Sequence, residues 1–111
     1  LRLTSEIFAA ALTRRLFSEG NFAAVERRGA EAAGAIFVVA RDRSGGVRLF
    51  GPAPQSLADE CGDRRFVEET ASDEAGVAAR LAREARFDPD FWVIEIETER
   101  PETYLTIVES D

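Results

Sequence analysis

Glu95, Glu97 and Glu99 stand at alternate positions at the end of an otherwise apolar run that begins at Phe91. Alternate residues of an extended strand share a face and lie roughly 6.7 Å apart. Carboxylates at that spacing are hard oxygen donors for Mg²⁺ or Ca²⁺, and a carboxyl kept protonated by its neighbours can act as an acid. The stripe therefore predicts, as one functional class, a carboxylate- or metal-dependent hydrolase. The simpler reading is a solvent-facing row paired with arginines of the next strand. A second chemistry comes from the doublets Arg14/Arg15, Arg27/Arg28 and Arg64/Arg65. Guanidinium groups bind carboxylate and phosphate through two parallel hydrogen bonds, so Arg28, Arg64, Arg65 and the amide of Gln55 form the candidate pocket of a small-anion sensor. Adjacent strand residues point to opposite faces, which sends one arginine of each doublet towards ordinary surface ion pairs.

Composition narrows the remaining classes. The chain has 111 residues, no His, no Met and one Cys, and all 14 of its basic residues are Arg. Without His there is no Ser-His-Asp or Cys-His relay; without Lys there is no Schiff base and no P-loop lysine. One Cys makes neither an intramolecular disulfide nor a Cys-rich zinc site. That thiol, Cys61, lies between Asp59, Glu60 and Asp63, which disfavour its thiolate. No cofactor is expected. The net charge of −7 is carried by residues 88–111, where eight acids face Arg100 alone, while residues 1–87 balance. Nucleic acid, which needs a positive face, is not an expected partner. The longest apolar run, Ala35 to Ala40, is too short for a membrane span. Cytoplasm is the expected location.

These side chains need elements to position them. Thr4 or Ser5 caps a helix over about Glu6–Ser18, whose apolar face is Ile7, Phe8, Ala11, Leu12 and Leu16 and which Gly20-Asn21 ends. Phe22–Arg28 reads as a strand. Ala35–Arg43 is apolar on both faces like a central strand, and Ser44-Gly45-Gly46 turns it into Val47–Phe50 as a hairpin. Gly51-Pro52-Ala53-Pro54-Gln55 is expected to end pairing. Arg65–Glu69 is a further strand. A helix to about Arg86 turns Val77, Ala78, Leu81, Ala82 and Ala85 inward and Arg80, Arg83 and Arg86 outward. Phe91–Glu97 is a strand after the Asp88-Pro89-Asp90 turn, and Tyr104–Val108 an edge strand in the acidic segment 98–111. The order predicts one α+β domain over 1–111: a mostly antiparallel sheet of four to six strands with two helices on one face.

Several runs also resemble a known family. They are Leu3-Thr4-Ser5 through Arg15, Arg28-Gly29-Ala30-Glu31, Ala33 through Val38, Gly51 through Gln55, Asp63-Arg64-Arg65-Phe66 and, most specifically, Phe87 through Glu97. Together they are similar to the DUF1491 family of small alphaproteobacterial proteins. The resemblance covers residues 1 to about 97. It implies a compact cytoplasmic bacterial protein and brings no assigned activity.

Phe91 and Trp92 project to opposite faces of their strand. With both helices on one face, one aromatic would be bare together with Val93, and large bare aromatics mark interfaces. Phe91, Trp92 and Val93 are therefore the expected partner surface. The favoured function is a non-catalytic protein-interaction or accessory domain that binds a protein partner or forms a homodimer.

Overall fold

Thr4 has an extended backbone and its hydroxyl accepts the Ile7 N–H at 3.2 Å, which starts helix α1, Ser5–Ser18. Gly20, at φ 81°, closes that helix, and the Asn21 N–H returns to the Leu16 carbonyl at 2.8 Å. The strands follow as β1 (Phe22–Arg27), β2 (Ile36–Arg41), β3 (Val47–Pro52) and β4 (Arg65–Glu68). Asp73, accepting the Gly76 N–H at 2.7 Å, then caps helix α2, Glu74–Phe87. Strand β5 (Trp92–Glu97), a 3₁₀ turn at Pro101–Thr103 and the two-residue β6 (Thr106–Ile107) complete the chain. This computed structural model describes residues 3–54 and 64–109. Gln55 and Cys61 lie outside them.

The six strands form one sheet in the order β1-β5-β2-β3-β4-β6. Pairings β1–β5, β2–β3 and β3–β4 are antiparallel, while β5–β2 and β4–β6 are parallel, so this α+β sheet is mixed. Gly51-Pro52 does not end pairing. Contact with β2 stops at Phe50, but Gly51 and Pro52 pair with Val67 and Phe66, and the Ala53 N–H donates to the Arg65 carbonyl at 2.8 Å. Proline lacks only the donor, so its neighbour keeps the ladder to β4.

The helices lie on opposite faces rather than one. Ile36, Val38, Ala40, Trp92, Ile94 and Ile96 pack with Ala9, Leu12 and Leu16 of α1. Phe37, Val39, Phe91 and Val93, the alternate positions of the same strands, pack with Val77 of α2. The reason is in β2, whose residues Ile36 to Ala40 are all buried: a strand apolar on both sides needs cover on both. Each helix is also rotated from its expected setting. In α1 the buried line is Ser5, Ala9, Leu12 and Leu16, leaving Ile7 exposed, because the Ser5 hydroxyl donates to the buried Gly34 carbonyl at 2.5 Å. In α2 Val77 is buried and Arg80, Leu81 and Glu84 are half-buried, while Ala78, Ala82 and Ala85 face outward.

Candidate functional site

Each candidate group of the sequence takes a separate place in this frame. Phe91 and Trp92 are 1% and 0% exposed and Val93 is buried. The Phe91 ring meets Phe37 edge-on at 5.6 Å under α2. Trp92 sits under α1 with its Nε1–H donating to the Ala30 carbonyl at 2.8 Å. These three residues are core, not a free surface, because a helix covers each face of their strand.

The arginine doublets separate as well. Arg27 donates to the Phe91 and Pro89 carbonyls at 3.1 and 2.7 Å, and Arg28 pairs with Glu6 at 2.7 Å and lies over the Trp92 ring. Arg64 donates to the Ser5 hydroxyl and the Leu3 carbonyl at 2.9 and 3.2 Å. Arg65 opens β4 with an exposed side chain. Arg28 and Arg64 thus both reach the first turn of α1, one through Glu6 and the other through the Ser5 hydroxyl. The helix N–H groups of Ser5, Glu6 and Ile7 already donate to Ala32, Glu31 and Thr4 oxygens.

The carboxylate stripe does not act as a unit. Glu95 is half-buried and pairs with Arg41 at 2.7 Å, and Arg41 also holds Glu74. The neighbour of Glu95 is Glu26, from the strand beside it. Glu26 keeps its proton above the ordinary carboxylate range because it hydrogen-bonds Glu95. Glu95 is held below that range, first by the same hydrogen bond and then by Arg41. Glu99 instead accepts the Arg43 N–H at 2.8 Å, and Glu97 is exposed. Among the described residues no three His, Cys, Asp or Glu side chains are grouped to hold a metal ion.

What the structure does bring together is a cleft of about 510 Å³ outside the carboxyl ends of the parallel strands β2 and β5, a position where sheets of parallel strands commonly take ligands. Phe17 at the end of α1 and Phe22 at the start of β1 form one wall, their rings edge to face at 5.9 Å. They are 57% and 43% exposed. Arg41, Asp42, Arg43, Glu97, Thr98 and Glu99 form the rest with Gly20 and Asn21. Several of these groups are already engaged. Arg41 holds two glutamates, Asp42 accepts the Ser44 and Gly46 N–H groups of the hairpin turn, and Asn21 donates to the Tyr104 hydroxyl at 2.8 Å. The Glu97 carboxylate and the Arg43 guanidinium have no ion pair among the described residues. With Arg41 neutralised, Asp42, Glu97 and Glu99 outweigh Arg43. The open groups are an acidic floor beside two aromatic rings, suited to a cation or a mixed apolar and basic segment.

The cleft adjoins a strand edge. β1 is the outermost strand on its side, and the N–H and C=O groups on its outer edge have no backbone partner among the described residues. It contains no proline or lysine, and its one bulge falls between Val25 and Arg27, leaving Phe22–Val25 regular. Reading the sequence missed this site. Phe17 lies off the main apolar stripe of its helix and Phe22 precedes two alanines, so neither carried a periodic signal.

Comparison with known proteins agrees with the fold. The model of a family described as "Protein of unknown function (DUF1491)" matches residues 3–106. The chain belongs to the DUF1491 family. A solution structure of a protein from A. tumefaciens is 52% identical over 100% of this chain and 98% of its own, with a TM-score of 0.87. A crystal structure of a DUF1491 family protein from Caulobacter crescentus is 39% identical over 97% of this chain and 99% of its own, with a TM-score of 0.78. An NMR structure of a Caulobacter crescentus DUF1491 protein gives 38% identity, 98% and 97% coverage and a TM-score of 0.77. No curated protein matches the chain. No helix among the described residues is long and apolar enough to cross a membrane.

Proposed function

We propose that this DUF1491 protein is a cytoplasmic interaction module, without chemistry of its own, that adds a strand of another polypeptide to the outer edge of β1. The observation that carries this reading is the unpaired edge of Phe22–Val25 with the exposed Phe17 and Phe22 rings at its start. Backbone hydrogen bonds along such an edge supply affinity and side-chain pockets supply selectivity. The acidic, aromatic-walled cleft favours a segment whose basic or apolar side chain enters beside Glu97. A second copy of the chain is one polypeptide that such an edge accepts.

The test is photo-crosslinking in living bacteria, with a photoreactive amino acid replacing Phe22 and, separately, the exposed Arg83 of α2. A discrete protein adduct from position 22 and none from position 83 is the expected result. No adduct at position 22 would end the strand-addition reading.

A further inference from the structure

We infer that the polypeptide received by β1 is the β1 strand of a second copy, paired antiparallel about a two-fold axis normal to the sheet. This rests on the strand-addition reading and names its partner.

The argument is one of self-complementarity. An isologous contact must present, on one patch, both a feature and its counterpart. β1 does so along its length. Its first residue, Phe22, borders the cleft that holds Glu97 and Glu99, while the chain leaves its far end through Arg27 and Arg28. Antiparallel pairing of Phe22–Val25 with itself carries each Arg27–Arg28 doublet to the other copy's Phe22 end. Arg27 stays on the Phe91 and Pro89 carbonyls of its own chain, so it is the exposed Arg28 of each copy that arrives at an acidic cleft walled by Phe17 and Phe22, and symmetry makes the contact twice. The Arg28 side chain is 61% exposed, and to reach across it gives up only an exposed ion pair with Glu6 and its stacking on Trp92. The bulge after Val25 limits the ladder to four residues and places the doublet just beyond it.

Net charge points to the same patch. Two molecules at −7 repel over most of their surfaces. Residues 3–28, which contain α1 and β1, hold four Arg and three Glu, so the repulsion is least where these elements meet their copies. The same region carries Leu3, Ile7, Phe17 and Phe22, four of the five large exposed apolar side chains among the described residues, the fifth being Phe87. By contrast, the opposite edge strand, β6, spans two residues.

Sedimentation velocity on the full chain, from micromolar to submillimolar concentration, tests the proposal. The expected result is a monomer–dimer equilibrium that Phe22→Asp and Glu97→Arg each weaken about tenfold or more. Both positions are exposed, so unchanged circular dichroism is expected beside the loss. The decisive sample mixes Glu97→Arg with Arg28→Glu. In that heterodimer both cross-contacts regain opposite charges, and dimer returns although neither variant forms it well alone. A wild type that stays monomeric, a dimer indifferent to Phe22→Asp and Glu97→Arg, or no recovery on mixing would each overturn the inference. A monomer whose position 22 still crosslinks a different protein would overturn the second copy alone and leave strand addition standing.

Discussion

On one side of the sheet, fourteen-residue α1 lays Ala9, Leu12 and Leu16 onto Ile36, Val38, Trp92, Ile94 and Ile96, and Phe66 and Leu105 close the same core. On the other side, α2 has the same length and buries Val77 alone against Phe37, Val39, Leu49 and Val93. Its second line of attachment is polar. Arg80 lies over the Phe37 ring and pairs with Glu69 and Glu84 at 2.8 and 3.0 Å, and Arg41 reaches Glu74 from the sheet. The difference teaches that helix length and amphipathic pattern do not measure how strongly a helix is held. The apolar area at the contact does, and surface ion pairs add modestly.

The comparison breaks most directly at its apolar anchors. Leu16→Ala empties a fully buried site and is expected to lower the unfolding free energy by about 2–5 kcal/mol in urea titration. Val77→Ala removes less volume at a thinner contact and is expected to cost about 2 kcal/mol. A larger loss at Val77 than at Leu16 would reverse the ranking of the two faces. Arg80→Ala comes next, at about 1 kcal/mol, combining two half-buried ion pairs with the stacking on Phe37. Hydrogen exchange sharpens the same contrast: the amides of α2 should exchange before those of α1, and faster still in Arg80→Ala.

The smallest effect is the pH dependence. The Glu68 carboxyl is held below the ordinary range by its hydrogen bonds to the Arg48 guanidinium, and Glu95 by Glu26 and Arg41. A depressed folded-state pKa adds stability above the ordinary carboxylate value and loses it as pH falls through the depressed one. Glu26 is raised and has the opposite sign, gaining stability as pH falls through its own range. Melting temperature followed from neutral to acid pH should therefore fall less steeply in Glu68→Gln than in the wild type. In Glu26→Gln the opposing gain should disappear. A Glu68→Gln profile parallel to the wild type would remove the Arg48 pair from the account.

Much of the frame is readable along the chain because its signals are local. Thr4 and Gly20 bracket α1, the Asp88-Pro89-Asp90 turn launches β5 with the Asp90 N–H donating to Asp88, and Ser44-Gly45-Gly46 folds the β2–β3 hairpin. The resemblance to the DUF1491 family is likewise read from short contiguous runs, and the family's model matches residues 3–106. The expected site residues were not brought together, for a physical reason in each case. The expectation that one of Phe91 and Trp92 stands bare with Val93 follows from placing both helices on one face. The five-residue apolar run of β2 already implied cover on both sides. Glu95 was grouped with Glu97 and Glu99, whereas its electrostatic neighbours, Glu26 and Arg41, come from the strands on either side of it.

The sequence by itself determined the two helices, most of the strands and the alternation of side chains along each strand, because caps, turns and periodicity act over a few bonds; the ends of β3 and β6 were left to pairing with distant strands. The sequence also set the acidic balance and excluded histidine and lysine chemistry. Only the tertiary structure decided which helix covers which face, that β5 lies parallel to β2, that α2 turns its alanines outward, and that Phe17 and Phe22 stand open beside an unpaired edge. Burial and pairing belong to residues far apart in the chain. Gly34 shows the dependence: its carbonyl accepts the Ser5 hydroxyl 29 positions away, and a Cβ at Gly34 would lie 2.5 Å from the Asp90 oxygen. No local pattern encodes such a close approach, since it exists only once three distant segments have packed together.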